Sequence, residues 1–495
     1  MKYFGYLALI LSSSVTLTSC FAKPKKFEYD IPEIAAAQPD EGDGYRKVTD
    51  YTYSLNDVHK TLGMYNLQST GDAKILVVPV MATDAPVWTT KMLNNVKNGF
   101  FGEPDDTGWH SVKSFYYYSS FGKLNISGEV APVLKSQYST SQLTRLGTNG
   151  DDVNPDTIIV QEFENSSLYS SLRKQYDIDN NGFIDSVIFV YSNEINADNG
   201  YWAWVYWNDS DPSSSLPTVN SYMWVSYDFI VQNKKSEYVY AAYGDQIDGH
   251  TIIHETGHLL GLDDYYCYDQ GGWDPSGKIE MHSFNIGDES VYSKMSLGWT
   301  NPYYVKTNSS VTLTLRTSAG YGDAIIVNDN WNGSIQDEYI AIEYYTPNGM
   351  NLKDSQSAYP GNGYQMYTIP GFRIYHIDAR VVELGVRGKM VDYVTSLTPG
   401  KTYTVGASNS KSYSYLNEHK DDYKLLHLLE ANGTNTFKTG KAASNNTLFT
   451  SGKTLEASSQ FFYNSTKFNG GNTVGYRFSI GNCDQFQGTI TISKL

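Results

Sequence analysis

Short uninterrupted runs of apolar residues mark the first half of the chain. Residues 75–80 read Ile-Leu-Val-Val-Pro-Val and residues 187–191 read Val-Ile-Phe-Val-Tyr, which is typical of strands buried on both faces. We expect these two strands to share one sheet. Beyond about residue 305 the pattern changes to alternating apolar and polar positions, which predicts a β-sandwich-like region. The alternating segments are 310–316, 338–345, 372–377 and 486–493.

Residues 249–261 have the signals of a helix at both ends. Asp248 precedes the segment as an N-cap residue, no proline interrupts it, and Gly261 stands where a helix would end. Helix and strands together predict an α+β fold that is rich in strand.

Composition and charge narrow the class of protein. The chain has 495 residues, which is the length of two or three folded domains. With 40% hydrophobic and 18% charged residues, its composition is that of a folded protein. Its 37 basic and 53 acidic residues give a net charge of −16, which excludes a broad positive surface for nucleic acid. Three cysteines, Cys20, Cys267 and Cys483, are too few for a disulfide framework. We expect Cys267 and Cys483 to be free buried thiols.

The N-terminus has the anatomy of a signal peptide. Lys2 is followed by an apolar run over residues 3–11 and then by Leu17-Thr18-Ser19-Cys20. This ending resembles the lipobox of bacterial lipoproteins, in which cleavage leaves a lipid-carrying cysteine at the new N-terminus. The alternative is an ordinary signal peptide, 1–20, with an incidental cysteine. Residues 21–70 are largely polar and predict a tether or a short pro-segment.

Membrane attachment is expected to depend on Cys20. No other stretch approaches the length of about 18 to 20 apolar residues that would cross a bilayer. A lipid on Cys20 would therefore hold the protein at the membrane. We expect an extracytoplasmic, lipid-anchored protein on the cell surface or the outer face of a bacterial membrane.

The predicted helix contains a metal-binding pattern, His254-Glu255-Thr256-Gly257-His258. Two histidines four residues apart lie on one side of a helix, so both imidazoles reach one zinc ion. Glu255 lies beside the ion without binding it. From there it can take the proton of a metal-activated water that attacks a peptide carbonyl, and pass it to the leaving amine.

The third zinc ligand has two candidates. Gly261 allows the chain to leave the helix sharply and bring Asp264 back to the metal. Glu280, on a separate downstream helix, is the alternative. We favour Asp264 over Glu280, because Pro275 and Gly277 oppose a helix around residue 280. Asp263, its neighbour, is expected to support the loop.

The extended motif His-Glu-x-x-His-x-x-Gly-x-x-Asp resembles the immune inhibitor A family of secreted bacterial zinc metallopeptidases. These are relatives of the metzincins with aspartate in place of the usual third histidine. The resemblance extends over roughly residues 72–440. It is carried by the segments 117–124, 271–274, 281–287, 293–299, 338–344 and 371–378.

The resemblance implies an architecture and an activity. A metzincin-like catalytic domain, 71–303, with a mixed sheet and an active-site helix, would precede a β-rich, sandwich-like region, 304–495. The activity would be that of a zinc-dependent endopeptidase with His254, His258 and Asp264 as ligands and Glu255 as general base. Met281 would be the methionine beneath the metal, in preference to Met295. The insertion Pro-Ser-Gly-Lys-Ile-Glu before Met281 departs from the family pattern.

A second metal-binding pattern lies at residues 177–185. Asp177, Asp179, Asn181 and Asp185 place oxygen donors as in the first nine positions of an EF-hand loop, with Gly182 at the sharp turn. Position twelve is isoleucine instead of the bidentate glutamate. A calcium-stabilised loop of another type and a simple Asp/Asn turn both fit this pattern.

Other polar residues have structural interpretations. His250, one turn before His254, is expected to cap or pack the helix, and His376 and Asp378 lie in an alternating strand. The sequence thus predicts a monomeric zinc endopeptidase acting on proteins or peptides. The alternative is a surface binding protein or adhesin with a vestigial peptidase domain, against which the intact Glu255 argues.

Overall fold

The computed structural model describes residues 38–231, 246–269, 271–410, 423–463 and 465–495. It is a mixed α+β structure with about 23% helix and 27% strand in several sheets, which confirms the predicted class. The signal peptide, Cys20 and residues 21–37 lie outside the described residues.

The regular elements are numbered here in chain order. The strands of the first half are β1 (Glu41–Gly42), β2 (Tyr45–Lys47), β3 (Gly71–Met81), β4 (Leu124–Val130), β5 (Leu134–Lys135), β6 (Thr148–Asn149), β7 (Asp152–Val153), β8 (Phe183–Ile184), β9 (Val187–Tyr191), β10 (Trp204–Trp207), β11 (Thr218–Val219) and β12 (Ser221–Ser226). Those of the second half are β13 (Tyr303–Val305), β14 (Ser310–Arg316), β15 (Ile325–Val327), β16 (Glu338–Tyr345), β17 (Gly371–Asp378), β18 (Val381–Leu384), β19 (Met390–Tyr393), β20 (Thr402–Val405), β21 (Leu426–Leu428), β22 (Thr454–Glu456), β23 (Tyr476–Cys483) and β24 (Gln487–Lys494). The α-helices are α1 (Leu55–Lys60), α2 (Thr90–Phe101), α3 (Val112–Ser119), α4 (Thr140–Leu146), α5 (Asp156–Asn165), α6 (Ser170–Gln175), α7 (Asp228–Val231), α8 (His250–Leu259), α9 (Met281–Phe284), α10 (Val291–Ser296) and α11 (Leu352–Gln356).

A six-stranded sheet organises the first half of the chain. Its strands run in the order β10-β12-β9-β3-β4, with β5 beside β3. The two predicted buried strands, β3 and β9, are parallel neighbours with Leu76 opposite Val187, so the prediction that they share one sheet is confirmed. Hydrophobic clusters cover both faces, which is why these strands lack alternation. β10 pairs antiparallel with β12 at one edge.

Helix α8 carries the zinc motif and packs against β12. It spans His250–Leu259, slightly less than the predicted 249–261. Gly261 has a φ of +101°, a left-handed conformation that favours glycine and turns the chain sharply after the helix. The predicted exit at Gly261 is therefore confirmed.

The second half contains two sheets that share a hydrophobic core. A seven-stranded sheet has the order β1-β2-β13-β15-β16-β17-β21, and a four-stranded sheet has the order β14-β24-β23-β22. Residues of both sheets contribute to one buried cluster. Strands β14, β16, β17 and β24 coincide with the four alternating segments, so those predicted strands are confirmed.

Residues 38–70 pack against later parts of the chain, so they do not form a polar tether, while the alternative of a short pro-segment stays a prediction. The sequence predicts a tether or short pro-segment over residues 21–70, yet β2 pairs antiparallel with β13, with Tyr45 opposite Val305. Helix α1 packs against β20, and Leu55 and Val58 are buried. Residues 38–70 thus belong to the fold, because they pack against strands from the second half of the chain, β13 and β20.

The predicted boundary at residue 303 is not a break in the core either. Ile279, Ile286 and Tyr292 pack in the same cluster as residues of the seven-stranded sheet.

Within the residues that the structure describes, none of the helices has the length and apolar character needed to cross a bilayer.

Candidate metal centre

Three side chains from the predicted zinc site converge on one point. The Nε2 atoms of His254 and His258 are 3.1 Å apart, and Asp264 Oδ1 lies 3.0 Å from the first and 3.3 Å from the second. Donor atoms on one tetrahedral zinc ion are about 3.3 Å apart, given metal–ligand bonds of about 2.0–2.1 Å. The three atoms therefore have the spacing of one face of a zinc coordination shell.

Two backbone carbonyls orient the imidazoles. His254 Nδ1 lies 2.8 Å from the carbonyl oxygen of Met281, and His258 Nδ1 lies 2.8 Å from that of Leu262. A carbonyl can only accept, so this pattern assigns the ring proton to Nδ1 and leaves the lone pair on Nε2. Histidines that bind a metal through one ring nitrogen typically donate the N–H of the other to a carbonyl or carboxylate oxygen, as here.

The site attracts positive charge. Burial alone would raise the pKa of Asp264, but the His258 and His254 imidazoles hold it well below its usual range. Burial alone would lower the pKa of His258, but Asp264 raises it to about 10. A buried carboxylate that faces two imidazole lone pairs needs positive charge nearby, either protons on the rings or a metal ion. The donor set of two nitrogens and one oxygen fits zinc.

Glu255 lines an open cleft together with these side chains. The cleft has a large cavity of about 690 Å³ and a small one of about 290 Å³. Both cavities are lined by Trp202, Ala203, His254, Glu255 and Tyr266. Burial raises the pKa of Glu255 above its usual value, against the lowering effect of the two imidazoles, so its carboxylate is poorly solvated and suited to accept a proton.

The competing carboxylates have other partners. Glu280, the alternative ligand, is the N-cap of α9. Its two carboxylate oxygens accept hydrogen bonds from the backbone N–H groups of His282 and Ser290. Asp263 accepts hydrogen bonds from the Asp264 amide at 3.0 Å and the Ser408 hydroxyl at 2.8 Å. It supports the loop, as expected.

Met281 contacts the metal-binding side chains through its backbone, because its carbonyl accepts the hydrogen bond from His254. Its side chain is buried in the core beside the six-stranded sheet, and its role as the methionine beneath the metal stays a prediction. Met295 lies in α10 and packs in a different cluster, as expected for a core residue.

His282 is a metal-ligand candidate that the sequence analysis left out. Ring nitrogens of His254, His258 and His282 lie within 4.8 Å of one another. Asp264 has the stronger case as third ligand, because it contacts both imidazoles directly, whereas His282 Nε2 lies 3.3 Å from the buried Glu289 carboxylate. No spacing rule connects residue 282 to the motif, so the sequence offered no signal for it.

Tyr266 and Tyr268 are also cleft residues that the sequence did not assign. The Tyr268 hydroxyl donates a hydrogen bond to Asp264 Oδ2, the carboxylate oxygen that does not face the imidazoles. The Tyr266 ring lies 6.4 Å from that of His254. Burial raises the pKa of both phenols, with Asp264 adding to the effect, so both hydroxyls are neutral donors.

The acidic loop brings Asp177, Asp179 and Asp185 together. Their oxygens already accept protein hydrogen bonds, among them the Asn181 amide to Asp177 at 3.0 Å and the Ile178 amide to Asp185 at 3.1 Å. Burial raises the pKa of Asp185 to about 7, and the two other aspartates add to this. Both interpretations, a calcium site and an Asp/Asn turn, therefore stay open.

The remaining polar residues have packing roles. His250 is buried between the rings of Trp109 and Tyr359, which agrees with the expected packing role. His376 is buried and contacts Glu338 at 2.8 Å. Cys267 and Cys483 are free, but both are half-buried and not fully buried as expected.

Comparison with known proteins assigns no family. No protein-family model matches the chain, and no curated protein matches it with significant similarity. The resemblance to immune inhibitor A therefore stays a prediction that rests on the residues quoted above.

Proposed function

We propose that the chain is a zinc-dependent endopeptidase with a metzincin-like catalytic part, related to immune inhibitor A. The observation that carries the proposal is the convergence of His254 Nε2, His258 Nε2 and Asp264 Oδ1 within 3.3 Å beside the buried Glu255. Such a constellation in an open cleft suits hydrolysis of a bound chain. We also propose that the protein acts outside the cytoplasm, anchored through Cys20.

The residues have distinct tasks in this reaction. Glu255 accepts a proton from the attacking water and then delivers it to the amine that leaves. Asp264, held by Tyr268, and the two imidazoles, held by backbone carbonyls, form the metal-binding face. When bound there, zinc would supply Lewis-acid polarisation of the scissile carbonyl and of water.

The edge of the six-stranded sheet supports an extended peptide as substrate. Among the described strands, β10 pairs only with β12, and Trp204, Val205 and Trp207 of β10 line the large cavity. The free side of an edge strand presents backbone N–H and C=O groups, which can pair with a peptide in an extended conformation. A bound peptide would then lie across Glu255.

Replacement of Glu255 by glutamine tests the proposal. The variant should retain about one zinc ion per chain and lose hydrolysis of a generic protein substrate by a factor of about 10² or more, as for loss of a general base. Glu456→Gln, at an exposed surface position, is the matched control. Wild-type hydrolysis should stop with a chelator and return with zinc. Undiminished turnover in Glu255→Gln would contradict the assignment, and an inert wild type would contradict the proposed activity.

A further inference from the structure

Residues 54–67, called here the N-terminal arm, reach the cleft that contains the metal ligands. The arm contributes Leu55, His59, Leu62 and Met64 to the lining of the large cavity, together with Glu255 and both metal-binding histidines. A segment that the sequence suggests as a tether or pro-segment therefore forms part of the proposed substrate site.

One backbone hydrogen bond and two hydrogen bonds of the Asn220 side chain attach the arm to the catalytic part of the chain. The amide of Leu67 donates to the carbonyl of Leu259, the last residue of α8, at 2.8 Å. Asn220, next to β12, accepts the Tyr65 amide at 2.9 Å and donates to the Gly63 carbonyl at 3.0 Å. The arm is thus bound to both the catalytic helix and the six-stranded sheet.

The arm is also attached to the second half of the chain. The amide of Tyr403, in β20, donates a 2.9 Å hydrogen bond to Thr61 Oγ1. The end of β20 and the residues that follow it, together Thr404 to Ser408, line the same cavity. The arm consequently bridges two walls of the cleft that come from distant parts of the sequence.

Gly261 provides the docking surface for the arm close to the proposed metal ligands. A Cβ atom at Gly261 would lie 2.5 Å from Asn66 Nδ2 and 3.0 Å from His59 Nδ1, and these two side chains are 2.8 Å apart. Gly261 follows the ligand His258 by three residues. The same glycine that turns the chain toward Asp264 therefore leaves the space that the arm occupies.

We infer that the N-terminal arm is a permanent wall of the substrate cleft and forms an apolar subsite there, instead of a displaceable inhibitory segment. Leu55, Leu62 and Met64 share this cavity with Val405 and Leu425. Apart from His59, the imidazoles and carboxylates that line the cavity all lie within residues 254–264. This inference rests on the proposed peptidase function and names the substrate class: peptides with a bulky apolar side chain on the arm side of the scissile bond.

The chemistry of His59 agrees with an uncharged subsite. Burial lowers the pKa of His59 to about 4, against the raising effect of its hydrogen bond with Asn66. The imidazole is therefore neutral at physiological pH and adds no positive charge to the cavity.

A charge introduced at Leu62 tests the subsite. Leu62 is 38% exposed and Leu146, on α4 away from both cavities, is 42% exposed, so Leu62→Lys and Leu146→Lys are matched. In a peptide library, wild type and Leu146→Lys should prefer apolar residues at one position, whereas Leu62→Lys should shift that position at least tenfold toward acidic residues. Identical cleavage profiles for all three proteins would overturn the inference.

A second variant tests whether the N-terminal arm is a wall of the cleft or an inhibitory segment. Thr61→Val removes the hydrogen bond that the Tyr403 amide donates to the arm, and a looser wall should raise KM for a long apolar peptide at least threefold. Higher activity in Thr61→Val would instead identify the arm as an inhibitor. Mass spectrometry of the active species should show that residues 54–67 are retained, and their loss on activation would also overturn the inference.

Peptide binding distinguishes failure of the inference from failure of the proposed function. Fluorescence anisotropy of two labelled peptide pools, which differ only in carrying leucine or glutamate at their varied positions, can be measured with the Glu255→Gln variant and with the Leu62→Lys/Glu255→Gln double variant. A shift in binding preference between these two proteins without hydrolysis by wild type would contradict only the peptidase activity. Hydrolysis by wild type with no shift in Leu62→Lys would contradict only the subsite.

Discussion

The carbonyl oxygen of Met281 accepts a 2.8 Å hydrogen bond from Nδ1 of His254, 27 residues earlier in the chain. This contact orients one proposed metal ligand from the first residue of α9, and the Leu262 carbonyl does the same for His258. The helix spacing brings the two imidazoles to the same side, but these two carbonyls determine that both Nε2 atoms point at Asp264. The geometry of the centre therefore depends on the backbone after α8.

Removal of Asp264 should abolish zinc binding and activity together. Asp264→Ala deletes the proposed third ligand and leaves two imidazoles facing each other, so we expect zinc affinity to fall by at least 10²-fold. Glu280→Gln should keep its metal, because Glu280 only accepts hydrogen bonds from backbone amides. Zinc titration of the purified variants measures both effects. Tight zinc in Asp264→Ala with loss in Glu280→Gln would reverse the ligand assignment.

The sequence predicts the arrangement of the proposed metal ligands more completely than it predicts the other walls of the cleft. The spacing of His254 and His258 and the glycine at 261 are local features, and local geometry alone brings them together. The arm could not be predicted in the same way, because Thr61 and its partner Tyr403 are 342 residues apart. A short polar segment has no periodicity that would indicate such a partner.

The same distinction applies to the strands. The apolar run of β9 and the alternation of β24 both predict strands. A strand buried on two faces needs an apolar residue at every position, and a strand buried on one face needs one at every second position. β2 has only three residues and joins its sheet through Tyr303 to Val305. An element of this length carries too little pattern to be recognised before its partner strand is known.

Gly257→Ala should destabilise the protein although it replaces a glycine within a helix. Alanine would ordinarily stabilise a helix interior by about 1 kcal/mol. Here its Cβ would lie 2.0 Å from Nε2 of His282, a fully buried ring. We expect a net loss of roughly 1–3 kcal/mol, as for other overpacked cores. Urea denaturation monitored by circular dichroism measures the change.

A double variant tests the cause of that loss. His282→Ala removes the ring that the new methyl group would meet, so Gly257→Ala/His282→Ala should lose less free energy of unfolding than the two single variants combined. We expect a coupling of about 1 kcal/mol or more, as between residues in direct contact. Strict additivity would show that Gly257 is needed for another reason.

Cys20→Ser should release the protein from the membrane fraction or stop its processing. The sequence offers no apolar stretch long enough to cross a bilayer, so retention would depend on the lipid. Fractionation and immunoblotting of cells that express each form provide the measurement, with Ser19→Ala as a neighbouring control. A wild-type protein that is fully soluble, with its N-terminus beyond residue 20, would contradict the lipoprotein prediction.

His250 is fully buried at the start of α8. Its ring is stacked between Trp109 at 4.0 Å and Tyr359 at 4.1 Å. Nδ1 lies 2.5 Å from Asp248 Oδ1 and Nε2 lies 3.7 Å from Asp354 Oδ1. Burial alone would lower the pKa of His250, but the two carboxylates raise it to about 9.

Stability should therefore decrease as the pH rises toward and through 9. Between a pKa of about 6.5 in the unfolded chain and about 9 in the folded one, the folded state binds more protons, so its advantage is complete below pH 6.5 and disappears above pH 9. The contribution is on the order of 3 kcal/mol. His110, which also faces His250, is buried with its pKa lowered to about 3, so it is neutral over this range. Melting temperatures from pH 6 to 10 should fall more steeply for wild type than for His250→Gln, and parallel curves would show that His250 is already neutral in the folded protein.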